Sequence, residues 1–128
     1  MTRQRNDKHS TEFGLWLREQ EEIDSSIGYV ASNLDFIWSN YKTGDWILIE
    51  EKRYMAEMTY AQKKLFIILD KSIDNTQYKG FFVITFEKTS PVDGKVYISR
   101  LNGKKIEVSA DRLVKFLKLE GKYKNKLD

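Results

Sequence analysis

Apolar residues recur along the chain with two different periods, and the switches between them mark out the elements. Phe13, Trp16, Leu17 and Ile23 fall on one side at helical spacing behind the capping residues Ser10 and Thr11, with Glu12 well placed in the first turn. A helix is predicted over residues 11–23. Asp24-Ser25-Ser26 and Gly28 break it, and Tyr29-Val30-Ala31 reads as the start of a short strand. Leu34 to Tyr41 and Trp46 to Arg53 are runs rich in aromatic and β-branched residues, joined by the turn Lys42-Thr43-Gly44-Asp45 into a hairpin. Met58, Ala61, Leu65, Ile68 and Leu69 return to helical spacing over residues 55–71 and leave Lys63, Lys64 and Lys71 outside the stripe. The run Gly80 to Phe86, the turn Ser90-Pro91-Val92-Asp93-Gly94, and the stretches Val96 to Ser99 and Ile106 to Val108 give further strands. Ser109 caps a last helix, Ala110 to Leu119, packed through Leu113, Val114, Phe116 and Leu117.

This order predicts an α/β fold, a mixed central β-sheet flanked by helices. In the second arm of the hairpin Ile47, Ile49 and Glu51 point to one face, and Trp46, Leu48, Glu50 and Lys52 to the other. Both faces stay apolar up to residue 50, which predicts that both are covered. Trp16 and Trp38 lie in apolar-patterned elements and read as core rather than as base-stacking platforms.

At 128 residues the chain suits one domain. The pattern places it at residues 10–120, between a disordered leader at 1–9 and a basic tail at 121–128. In that tail Lys122, Lys124 and Lys126 surround Tyr123, an arrangement that can follow phosphates or simply fray. Absence of cysteine excludes disulfides, thiolate zinc sites and cysteine nucleophiles, and His9 alone cannot make a histidine-rich site. No run approaches the roughly 18 apolar residues of a membrane span, and the polar start lacks a secretory apolar segment. A cytoplasmic protein without a membrane partner is expected. The net charge of +3 permits a polyanionic partner without requiring one.

Chemistry gathers in the hairpin. Asp35 stands early in the first arm, and Glu50 and Lys52 share a face at the end of the second, so pairing the arms brings two carboxylates and an ammonium together. Such a group is either a cross-strand ion pair at a sheet edge or a site. Glu50 follows Trp46-Ile47-Leu48-Ile49, where both faces look buried, and a desolvated carboxylate persists when it is paired or bound to a metal. Two clustered carboxylates offer hard oxygen ligands for Mg²⁺, for which Mn²⁺ often substitutes.

Asp35 followed by Glu50-Glu51-Lys52 at the end of the next strand resembles the D…(D/E)-x-K signature of the PD-(D/E)XK nuclease superfamily. Its restriction-endonuclease-like core is a helix, a three-stranded meander, a helix and another strand, and the predicted order over residues 11–86 is similar. Leu34 stands where the superfamily's name has a proline. The resemblance implies that Asp35 and Glu50 bind the metal, joined by the backbone carbonyl of Glu51, while Lys52 orients or deprotonates the attacking water and steadies charge on the phosphate. Gln62, ten residues after Lys52, resembles the helix glutamine of recombination-exonuclease branches, although Phe66 occupies the place of their following tyrosine. Its alternative is an ordinary solvent-facing helix residue. Some branches add a glutamate from the first helix; Glu19 is preferred for that place and Glu12 is second, while Glu22 points away.

The expected function is therefore Mg²⁺-dependent hydrolysis of phosphodiester bonds in nucleic acid, DNA before RNA. A non-catalytic nucleic-acid-binding module on the same fold, and a protein-interaction domain with a structural ion cluster, are the alternatives. Small domains with one-sided sites often work as homodimers, though no heptad or apolar patch marks one in this sequence.

Overall fold

A computed structural model describes residues 11–28 and 32–120. The expected leader, the strand start at Tyr29-Val30-Ala31 and the basic tail lie outside the described residues. The chain divides between Asn33 and Leu34 into two compact units.

In the first unit α1 spans Glu12–Arg18, with the Thr11 hydroxyl accepting from the Gly14 amide at 3.0 Å. The helix ends earlier than its apolar spacing predicts. Gln20 turns extended after the cap residue Glu19, its side-chain amide donates to the Trp16 carbonyl at 3.1 Å, and the chain continues as short 3-10 turns over Glu21–Ile23 and Ser25–Ile27. A side chain bonding its own helix's last carbonyls competes with further helix.

The second unit contains a five-stranded mixed sheet: β1 Phe36–Asn40, β2 Asp45–Lys52, β3 Tyr78–Phe86, β4 Val96–Arg100 and β5 Ile106–Val108, side by side in that order. Only the β2–β3 pair is parallel, since helix α2, Tyr60–Ser72, carries the chain back between them. In the β1–β2 turn the Asn40 carbonyl accepts from the amides of Thr43 and Gly44, the latter at φ +84°, and the arms pair from Asn40↔Asp45 to Phe36↔Ile49. This is the predicted hairpin.

Helix α3, Ala110–Leu117, closes one face of the sheet with Leu113 and Phe116 against Ile47, Ile49, Phe82, Ile84, Phe86, Val96 and Ile98. On the other face Phe66 of α2 packs with Leu48, Phe81, Val83 and Leu101. The expectation of an α/β sheet with helices on its faces is borne out. Three burial assignments are not. Trp16 of α1 and Val114 are exposed, and Trp38 lies at the rim, 41% exposed, where its indole N–H donates to the Leu117 carbonyl at 2.7 Å and ties β1 to the end of α3.

Helix α2 is also turned relative to its predicted stripe. Leu65, Ile68 and Leu69 are exposed, and the side toward the sheet holds Gln62, Lys63, Phe66, Ile67 and Asp70. Mixed polarity on the inner side hid the true face from a reading of periodicity.

Candidate active site

Side chains on β2 alternate between the two packed faces, so Leu48, Glu50 and Lys52 point toward α2 while Ile47, Ile49 and Glu51 point toward α3. The strand remains covered after its apolar run ends. Glu50 is only 3% exposed, and its carboxylate is held within the sheet–helix layer.

Asp35 directly precedes β1, and the Phe36↔Ile49 register carries it toward Glu50. Its Oδ2 accepts from the Glu51 amide at 2.8 Å, an ordering contact that replaces the next rung of the ladder. In a strand the N–H and C=O of one residue face the same neighbour, so the Glu51 carbonyl leaves β2 on Asp35's side. The Glu51 carboxylate does not join it. Its Oε2 is 3.2 Å from Arg53 Nε near the opposite face.

Lys52 Nζ lies 3.2 Å from Glu50 Oε2 and donates to Gln62 Oε1 at 3.1 Å, and Gln62 Nε2 donates to the same Glu50 oxygen at 3.3 Å. The three side chains form a closed triangle. Gln62 is set for this by the start of α2, where the Thr59 hydroxyl accepts its backbone amide at 3.1 Å. Between Lys52 and that helix the chain turns through Tyr54 and Met55, both left-handed at φ 55° and 57°, with their amides on the carbonyls of Lys88 and Phe86. Two successive non-glycine residues in this region carry strain that the bonds to the β3 end sustain, a feature that clusters near functional sites.

Burial, and next the nearby charge of Asp35, push the Glu50 carboxyl up to about 7, against the opposing hydrogen bond and charge of Lys52. Glu50 Oε1 is buried and has no hydrogen-bond partner among the described residues. That orphaned oxygen beside a second carboxylate is what a hard cation would satisfy, so the residues present fit Mg²⁺ or Mn²⁺ held by Asp35, Glu50 and the Glu51 carbonyl. No group of three or more acidic, histidine or cysteine side chains that could hold a metal occurs among the described residues. A two-carboxylate set is nonetheless the usual one for Mg²⁺, which retains waters and takes substrate phosphate. Glu12 opens α1 and Glu19 caps its end; both belong to the first unit.

Thr85 escaped the sequence reading. It stands across from Lys52 on β3, is 1% exposed, and has a hydroxyl oxygen with no hydrogen-bond partner among the described residues. A lone hydroxyl inside the apolar run Gly80 to Phe86 was the available signal. No family model, curated protein or solved structure matches the chain.

Proposed function

We propose that the protein is a metal-dependent nuclease with a restriction-endonuclease-like core, hydrolysing phosphodiester bonds of nucleic acid, DNA before RNA, in the cytoplasm. The supporting observation is the buried Glu50 carboxylate, raised toward neutrality beside Asp35, with one oxygen unsatisfied and the other gripped by Lys52 and Gln62. A bound divalent cation supplies Lewis-acid polarisation of the phosphate and a more acidic water. Asp35 and Glu50 hold that charge in place. Lys52, fixed by Gln62, presents an ammonium to the attacking water and to the charge that builds on the phosphate. The element order supports the same core: a hairpin, a crossing helix and a strand parallel to the hairpin's second arm.

A structural ion cluster would also explain the closed triangle of Glu50, Lys52 and Gln62. It accounts less well for Oε1 once Glu50 is ionised, because that oxygen is then a buried acceptor beside the Asp35 carboxylate with no donor among the described residues, at a cost of about 1–3 kcal/mol. Incubation with single-stranded, double-stranded and branched DNA and with RNA, each with and without Mn²⁺, tests the reading. Mn²⁺-dependent cleavage is expected, falling at least about 100-fold in Asp35→Asn and Lys52→Ala proteins that remain folded. Cleavage that continues in excess chelator, or at the parental rate in Asp35→Asn, would overturn it. Salt-dependent binding without cleavage would assign a binding module instead.

A further inference from the structure

A cleft of about 190 Å³ opens next to the Glu50 cluster, walled by Lys52, Lys63, Thr85, Ser99 and Lys105, with Glu57 at its rim. Strand pairing builds its floor: Lys52 on β2 lies across from Thr85 on β3, and Val83, two residues back along β3, lies across from Ser99 on β4. Helix α2 supplies Lys63 from its first turns, and the segment after β4 brings Lys105. Lys52 faces both this cleft and Glu50, so the two sites share a wall.

The charges and polar atoms select the occupant. Three ammonium groups meet one carboxylate in the lining. Glu57, 74% exposed at its side chain, pairs with Lys105 at 2.9 Å, and Lys52 is held by Glu50, whereas Lys63 has no ion pair among the described residues. The Thr85 hydroxyl, buried and unpartnered, is a donor waiting for an acceptor. In volume the cleft equals about six waters and falls below the roughly 300 Å³ of a cavity that encloses a whole small-molecule ligand. A compact oxyanion meets these conditions; a nucleoside does not.

We propose that this cleft is a phosphate-binding subsite, in which Lys63, Lys105 and the Thr85 hydroxyl hold a phosphate group of the substrate strand beside the one being cleaved. The identity of the ligand as part of a strand rests on the nuclease reading; the phosphate chemistry does not. Lys52 links the two, so that a phosphate seated here fixes the strand relative to Asp35 and Glu50.

Melting temperature in inorganic phosphate, with chloride at matched ionic strength as control and no divalent metal, tests the subsite apart from catalysis. Phosphate at about ten times its dissociation constant should raise Tm by about 3 °C or more. Lys63→Ala with Lys105→Ala should remove that shift, and Thr85→Val should weaken it without lowering Tm in chloride, because it removes a buried unsatisfied group. A parent protein indifferent to phosphate, or a shift equal in the Lys63/Lys105 double variant, would overturn the proposal even if the enzyme cuts. A phosphate shift lost in that variant would uphold it even if no cleavage is found. Oligonucleotides with 5′-phosphate, 3′-phosphate or neither then separate a terminal from an internal phosphate. Tighter binding of one phosphorylated end identifies a terminal phosphate, and equal binding of all three an internal one. In either case the double variant should bind at least about tenfold more weakly, and undiminished binding would count against the subsite.

Discussion

Toward α3 the sheet presents Ile47 and Ile49, Phe82, Ile84 and Phe86, and Val96 and Ile98, an apolar surface closed by Leu113, Phe116 and Leu119, with Glu51 and Arg100 as its charged residues. Toward α2 the same strands begin alike, with Leu48 and Phe81 under Phe66, and then change character through Glu50, Lys52, Thr85 and Ser99. One face is packed for stability. The other accepts a buried carboxylate near neutrality and two orphaned oxygens, costs that a face serving only stability would shed.

The largest difference between the faces should appear on truncating the apolar one. Phe116, 1% exposed and edge-on to Phe82 with ring centroids 4.9 Å apart, has no polar task; Phe116→Ala should cost about 3–5 kcal/mol in chemical denaturation. A loss below 1 kcal/mol would mean that this face is not the stabilising one.

The polar face should instead reveal itself through pH. Glu50 is raised from an ordinary 4.5 to about 7, chiefly by burial and then by Asp35, so between those values the folded protein holds a proton that the unfolded chain has released. Stability should therefore fall as pH rises from about 4.5 to about 7, by up to about 3 kcal/mol in metal-free buffer. Glu50→Gln should flatten that slope and be the more stable protein at pH 8. Mn²⁺ should restore stability to the parent there but not to Glu50→Gln, since the cation favours the ionised carboxyl. A parent stability curve flat across this window would contradict the buried, coupled state of Glu50.

A smaller effect is expected of Lys52→Ala. Glu50 loses its ammonium partner but can take up a proton, which limits the cost to about 1 kcal/mol near pH 6. Cooperative unfolding with a near-parental midpoint is the expected result; collapse of the fold would favour a structural ion cluster.

How much of this could be read from the sequence follows the same division. The hairpin was legible because its turn residues and apolar alternation fix the register, and with it the approach of Asp35 to Glu50 and Lys52. The orientation of α2 was not. Its inner side carries Gln62, Lys63 and Asp70, so the strongest apolar stripe, Leu65 with Ile68 and Leu69, faces away from the sheet. Thr85 and Ser99 were invisible as partners because they meet Lys52 only through strand pairing across β2, β3 and β4, which no spacing along the chain encodes. The early end of α1 depended on Gln20 bonding the Trp16 carbonyl, a local competition that apolar periodicity does not register.

Diffraction at the manganese edge from crystals soaked in Mn²⁺, with and without a bound oligonucleotide, would locate the cation itself. An anomalous peak within about 2 Å of oxygens from both Asp35 and Glu50 is expected, with the Glu51 carbonyl as a further ligand and Lys52 still on Gln62. Manganese found only elsewhere, or absent from these carboxylates even with nucleic acid bound, would contradict a metal-dependent site.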